Sequence, residues 1–206
     1  MSDRVYWERH ARKYDASLRV LGRPLPRMLE LTREAVRDCT RVLEVGAGTG
    51  LVTLELGKSA RTVVATDYAQ AMVGILERVV QEAGLRNVEC EQADLYELRF
   101  APGEFDAVVA ANVLHLVPDL AGALSALKRV LKPGGLLIAP TFCHDETALS
   151  WMISRALALT GFPGHRRFTR ESLCSALQAN GVCVTRSETL PGVIPIGYAE
   201  GAFGGS

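Results

Sequence analysis

Three carboxylates stand at or near the ends of three successive apolar runs. Glu44 lies in Val42-Leu-Glu-Val45, Asp67 follows Arg61-Thr-Val-Val-Ala-Thr66, and Asp94 follows Val88-Glu-Cys-Glu-Gln-Ala93. Between the first two acids stand Gly46, Gly48 and Gly50 at alternate positions, a composition suited to left-handed backbone or to a ligand pressed against the main chain. Such a set binds rather than breaks bonds. An aspartate can accept from both hydroxyls of a ribose, and Asp67 stands 21 residues after Gly46, close to the spacing expected of a ribose-binding acid. Asp94 can accept from an exocyclic amine while the N–H of Leu95 donates to a ring nitrogen. Glu44, two residues before the first glycine, would repel a pyrophosphate and could pair with a cationic ligand. For proton transfer the candidates are His115, in Asn112-Val-Leu-His-Leu-Val-Pro118, and His144.

These groups need elements to carry them. Each apolar run reads as a buried strand, and Leu51-Val-Thr-Leu-Glu-Leu56 opens a helix directly after the glycines, so backbone N–H groups without helical partners surround the loop. Ala69-Gln-Ala-Met-Val-Gly-Ile-Leu76 continues as a helix. Phe105-Asp-Ala-Val-Val-Ala-Ala111 is a fourth strand, apolar enough for the centre of a parallel sheet. A helix from Asp119 to Leu131 stops at Lys132-Pro-Gly-Gly135, before a fifth strand over Leu136–Ala139. Strands alternating with helices imply an α/β fold with a doubly wound parallel sheet, whose ligands sit at the carboxyl ends of the strands. The glycine spacing is G-x-G-x-G, with Leu51 where a dinucleotide fingerprint continues differently. A nucleoside bearing an amino acid fits this loop better than a pyrophosphate, with a nicotinamide-dependent oxidoreductase as the alternative.

Glu44-Val-Gly-Ala-Gly-Thr-Gly50 resembles motif I of the class I S-adenosylmethionine-dependent methyltransferases, and Gln92-Ala-Asp-Leu95 is similar to their motif II. Asp67, followed five residues later by Met72, is similar to the family's D-x-S-x-x-M pattern, with Tyr68-Ala69 in place of the usual residues. Trp7, Ala11, Tyr14 and Asp15 resemble an N-terminal segment that in this family lies over cofactor and substrate. The resemblance covers nearly the whole chain. It implies a Rossmann-like, doubly wound seven-stranded sheet, mostly parallel with an antiparallel last strand, here Val182–Glu188 and Val193–Tyr198 as the final pair. The implied cofactor is S-adenosyl-L-methionine. Its methionine end would be held by Glu44, Gly46, Ala47, Gly48 and Gly50, its ribose by Asp67 with Tyr68 and Met72 beside it, and its adenine by Ala93, Asp94 and Leu95. Asn112 and Tyr14 would complete the pocket, with His115 or His144 as base. The implied activity is methyl transfer to a small-molecule acceptor, with a non-catalytic S-adenosylmethionine-binding protein as a further alternative.

Composition narrows the partners. With 206 residues and 48% hydrophobic content the chain suits one domain spanning 1–206, with a helical flap over 1–40 and a lid-like insertion over 140–169. The 23 basic and 23 acidic residues argue against a nucleic-acid binder, which needs a net basic surface. Residues 1–43 carry ten Lys/Arg against six Asp/Glu, and residues 44–119 carry five against twelve. Arg4, Arg9 and Arg12 near the flap and Arg166 and Arg167 near the lid suggest an acceptor with a carboxylate or phosphate. A lipid headgroup would also suit them, with Leu157, Leu159 and Phe162 meeting its chain. A membrane surface is otherwise not expected, since no apolar run approaches a spanning length and Met1-Ser-Asp-Arg lacks the apolar core of a signal peptide, so the expected location is the cytoplasm. Cys39, Cys90, Cys143, Cys174 and Cys183 form no C-x-x-C pair, so neither metal site nor disulfide framework is expected. The oligomeric state is left open. Thr169 reads as an N-cap with Ser172 at N3, so no full capping box is expected there.

Overall fold

The computed structural model describes residues 4–9, 11, 23–158 and 164–204. A short helix α1 (residues 4–9) precedes α2 (Leu25–Ala35), β1 (Arg41–Val45), α3 (Leu51–Gly57), β2 (Thr62–Asp67), α4 (Gln70–Glu82) and β3 (Val88–Gln92). After a 3-10 turn at Leu95–Glu97 come β4 (Phe105–Val109), α5 (Leu120–Val130), β5 (Leu131–Ile138), β6 (Thr141–Phe142), α6 (Ala148–Ala158), α7 (Arg170–Ala179), β7 (Val182–Leu190) and β8 (Ile196–Phe203).

The strands form a single sheet in the order β3-β2-β1-β4-β5-β8-β6, with β7 also paired to β8. Strands β1 to β5 pair in parallel, and β8 runs antiparallel to β5, β6 and β7. The fold is therefore the mostly parallel α/β sheet with an antiparallel last strand. Its eighth member is the two-residue β6, too short to leave a pattern in sequence. The chain order reverses between β1 and β4, which opens a crevice at their carboxyl ends.

Alternation along each strand sends side chains to two cores. Leu43, Val45 and Val108 face α5 and α7, packing with Leu124, Leu127, Leu173 and Leu177. Val42, Ala107, Val109 and Ile138 face the opposite layer with Met28, Leu31, Val52 and Leu56. Helix α2, within the expected flap, thus belongs to the core. Helix α5 is capped by Asp119, whose side chain accepts from the N–H of Gly122. It passes into β5 already at Leu131, earlier than the fifth strand suggested by sequence, because Leu131 pairs with Phe105 across an irregular step in the β4 ladder.

One local expectation is overturned. Thr169 and Ser172 do form a capping box, the Ser172 N–H donating to the Thr169 hydroxyl at 3.1 Å and the Thr169 N–H to the Ser172 hydroxyl at 2.9 Å. A serine hydroxyl here fills the role usually given to glutamate.

In the β7–β8 ladder the register shifts between Val184 and Arg186, the mark of a bulge. Opposite it, a Cβ on Gly201 would lie 2.2 Å from the carbonyl oxygen of Cys183. The nearest atoms are all main chain of Cys183 and Val184, so no flexible side chain is there to yield. Gly201→Ala is expected to lower stability by about 2–4 kcal/mol, in the upper range for overpacking and backbone strain, and urea denaturation would measure it.

Candidate functional site

A cavity of about 520 Å³ opens at the carboxyl ends of the parallel strands, within the usual range for a small-molecule site. Val45, Gly46 and Gly48 line it after β1, Thr66, Asp67 and Tyr68 after β2, Ala93 to Tyr96 after β3, and Ala111 to Val113 after β4. Met72 of α4 contributes to one wall, and Trp7, Leu116, Val117, Pro118 and His165 complete the surround.

The glycine loop gets its shape from two close approaches. Gly46 has a φ of +64°, and a Cβ there would lie 2.5 Å from Cγ2 of Val113, so the β1 and β4 loops meet only because Gly46 has no side chain. Gly50, the N-cap of α3, has a φ of +95°, and a Cβ would fall 2.9 Å from Cδ1 of Leu76 on α4. Ala47 and Gly50 stand behind the cavity wall and hold the loop from within. The Ala47 N–H donates to the carbonyl of Thr66 at 2.9 Å.

Asp67 is 8% exposed and accepts the Gly48 N–H at 2.8 Å and the Ala69 N–H at 2.9 Å, one on each oxygen. Burial raises its pKa, and the backbone N–H groups of Ala69 and Gly48 act against that rise. Each carboxylate oxygen still has acceptor capacity toward the cavity. Asp94 gives one oxygen to the Tyr96 N–H at 2.9 Å, capping the 3-10 turn, and also lines the cavity.

Glu44 lies in the core, 1% exposed, and is not among the lining residues. Its side chain points to the α3 face of β1, where the Thr53 hydroxyl donates to it at 2.6 Å. Burial, only partly opposed by that bond, pushes its pKa up to about 8. Any role toward a ligand is therefore exerted through the loop and not at the wall.

Asn112 is the sole non-glycine residue with positive φ among those described, at 56°. Asparagine tolerates that region better than most residues. Its N–H donates to the Pro140 carbonyl at 2.7 Å, while its buried side-chain oxygen has no hydrogen-bond donor within the protein. An orphan acceptor on a strained residue beside the glycine loop suits a cationic ligand group such as an ammonium.

The two histidines read from sequence lie behind the wall. His115 is 2% exposed and His144 5%, their rings 5.4 Å apart and flanked by Phe142. Burial drives the pKa of His115 down to about 3 and lowers that of His144, with Arg167 adding to the latter. Among the described residues the histidine that lines the cavity is His165, which sequence reasoning did not single out. Only the fold brings it there. The N–H groups of His165 and Arg166 both donate to the His115 carbonyl at 3.0 Å, stapling this segment to the loop after β4. The guanidinium of Arg166 donates to the carbonyls of Val117 and Pro118, so that fork is spent on backbone and not on an anionic acceptor.

At the other end, Glu8 of α1 accepts from the N–H of Gln70 at 2.8 Å and of Ala71 at 3.0 Å, capping α4 from a distant part of the chain. Ala11 packs with Ala69 and Met72, and Arg4 lies 5.5 Å from the Tyr68 ring centroid. Tyr14, Arg12, Leu159 and Phe162, and the side chain of Leu157, lie outside the described part.

The methyltransferase-domain family matches residues 43–139, the span that contains the glycine loop, all three acids and the loop after β4. Those residues form a methyltransferase domain, and the match supports the class I S-adenosylmethionine-dependent methyltransferase family. S-adenosylmethionine is the cofactor of that family, and the nicotinamide alternative falls with the assignment. A demethylmenaquinone methyltransferase of Mycobacterium marinum is 33% identical over 157 residues, covering 74% of this chain and 64% of that one. A phosphatidylethanolamine N-methyltransferase of Cereibacter sphaeroides is 38% identical over 120 residues, 57% of this chain and 58% of the other. The chain thus spans less than two thirds of the length of these curated relatives. A SAM-dependent methyltransferase from Aquifex aeolicus shares the fold with a TM-score of 0.72 at 22% identity, over 94% of this chain and 97% of that one.

Glu44 supplies a sharp test of the buried environment. Below about pH 4.5 its carboxyl is protonated in folded and unfolded chains alike; between there and about pH 8 the unfolded chain ionises while the folded one keeps its proton. The stabilisation is therefore full at low pH and is lost as pH rises through about 8. Glu44→Gln keeps an acceptor for Thr53 and removes the ionisation, so its stability relative to wild type should be higher at pH 9 than at pH 6. Thermal unfolding across pH checks this, and parallel curves would contradict it.

Proposed function

We propose that this protein transfers the methyl group of S-adenosylmethionine to a small, largely apolar or lipid-like acceptor. The observation that carries the proposal is the mixed lining of the cavity: carboxylates and backbone at the strand ends, together with apolar Leu116, Val117 and Pro118 and one histidine from the segments that follow β4 and α6. The relatives are consistent with it, one being named for demethylmenaquinone and one for phosphatidylethanolamine.

In this reading Asp67 accepts from the ribose hydroxyls, with Tyr68 and Met72 flanking the sugar, and Asp94 with the N–H of Leu95 holds the adenine against Ala93. Gly46, Gly48 and the orphan oxygen of Asn112 receive the amino-acid end. When bound, the cofactor supplies a methyl group on a sulfonium that is already a good leaving group. What the chain must add is alignment and a dry cavity, and proximity of this kind can provide about 7–11 kcal/mol of the barrier. An oxygen or nitrogen acceptor must also lose a proton, and His165 is the wall residue suited to take it. His115 and His144, behind the wall, support the loops.

Methyl-labelled S-adenosylmethionine, offered with a quinol or with aminophospholipid vesicles, tests the activity. Label in the acceptor together with S-adenosylhomocysteine is the expected result; cofactor binding without turnover on either class would favour the non-catalytic alternative. Asp67→Asn should weaken cofactor binding by about 1.5–3 kcal/mol, the scale of hydrogen bonds to a charged group, as read by calorimetry. His165→Ala should leave that affinity unchanged and lower turnover by about 10²–10⁴ if the acceptor must be deprotonated, the range for a lost general base. Full turnover on a hydroxyl or amine acceptor would remove His165 from the reaction.

A further inference from the structure

Helix α6 faces the wrong way for a helix of a self-contained domain. Ser150 and Ser154 are 0% and 7% exposed, while Leu149, Trp151 and Met152 are 54%, 45% and 61% exposed. At about 100° per residue, Ala148, Leu149, Trp151, Met152, Arg155 and Ala156 fall on one side of the helix, and all six are exposed. On the inward side Ile153 packs against the core, and the first turn is closed on itself by hydroxyls: the Ser150 N–H donates to Thr147 Oγ1 and the Thr147 N–H to Ser150 Oγ, both at 3.0 Å. Spending serines on the interior and leaving a leucine, a tryptophan and a methionine to water is unfavourable unless something covers the outer side.

Charge indicates what covers it. From Thr147 to Thr169 the sequence contains Arg155, Arg166 and Arg167 and no acidic residue. Arg155 sits on the exposed side, its guanidinium carbon 4.9 Å from the Trp151 ring centroid. A tryptophan paired with an arginine, flanked by aliphatic side chains on a short helix, matches what an interfacial helix needs. The ring and aliphatic groups enter the headgroup boundary while the cation meets anionic lipid. The chain that leaves α6 rejoins the cavity wall at His165.

We propose that the outer face of α6 is a docking surface for an anionic bilayer. It lies flat in the headgroup region and brings the cavity to the membrane, so that a lipid-like acceptor reaches the pocket without crossing water. The docking builds on the acceptor class proposed above, but its test needs neither cofactor nor acceptor. Among the described residues no helix is long and apolar enough to cross a membrane, so the attachment is peripheral.

The experiment is flotation of the full chain with phosphatidylcholine vesicles and with phosphatidylcholine vesicles containing phosphatidylglycerol. Wild type should float with the anionic vesicles, less so as salt is raised, and should stay behind with the neutral ones. Leu149→Ser with Met152→Ser, and separately Arg155→Glu, should each lower the partition by about tenfold or more. Trp151→Phe should abolish most of the vesicle-induced blue shift in fluorescence. These side chains are exposed, so thermal unfolding and cofactor affinity should be unchanged in every variant. Failure of wild type to float, equal binding to neutral vesicles, or undiminished flotation of the variants overturns the proposal. A wild-type dimer that ignores vesicles and dissociates on Leu149→Ser with Met152→Ser also overturns it, assigning the face to a second copy. Methyl transfer to a soluble acceptor is scored separately: its loss would strike the catalytic reading and leave vesicle binding standing.

Discussion

The carboxylate of Asp67 holds the pocket together. One oxygen takes the Gly48 N–H and the other the Ala69 N–H, so a single side chain ties the loop after β1 to the end of β2 and to the start of α4. Both donors sit where no helix or ladder partner reaches them, and leaving them unbonded in a nearly buried site would cost about 1–3 kcal/mol each. The same contact fixes the distance between the glycine loop and the end of β2. Burial opposes the charge and the backbone donors favour it. A group balanced in this way is a scaffold that also faces the cavity.

The parts of the site that were legible in sequence are those whose geometry is local. A buried parallel strand, a turn and a helix N-terminus occupy a dozen residues, so Gly46, Gly48, Asp67, Asp94 and Asn112 could be placed from spacing and from the family pattern, and the structure puts them around one cavity. Glu44 shares that pattern, but alternation along β1 turns its side chain toward Thr53 and away from the wall. The histidines were harder still. His115 and His144 follow strands β4 and β5 and look poised for chemistry, yet their burial depends on Phe142 and on β6, which no periodicity announces. His165 reaches the wall by hydrogen bonds from its own backbone to a carbonyl fifty residues earlier, and nothing in the neighbouring sequence encodes that return. The capping box of α7 escaped for a smaller reason, since serine at N3 is an uncommon substitute for glutamate.

The two halves of the cavity are built from different material. One part hangs on strand ends and close-packed glycines, where a methyl group added at Gly46 would strike Val113. The other is made of the loop after β4 and the segment around His165, joined by the Arg166 guanidinium to two backbone carbonyls. That wall can change its side chains without disturbing the sheet. A common cofactor with varied acceptors is what such a division permits, and for this reason the family assignment does not itself name the acceptor.

The contact between Glu8 and the first turn of α4 bears on the pocket. A carboxylate placed against two N–H groups at a helix N-terminus is a charge-assisted clasp, and releasing it forfeits two hydrogen bonds and a favourable dipole interaction. Trp7, one residue away, lines the cavity. Opening the clasp would release the helix that carries Trp7 from the start of α4, the helix that also carries Met72. One acidic side chain outside the cavity wall thus couples the N-terminal helix to an element of that wall, and ionic strength reaches the pocket through a residue that does not line it.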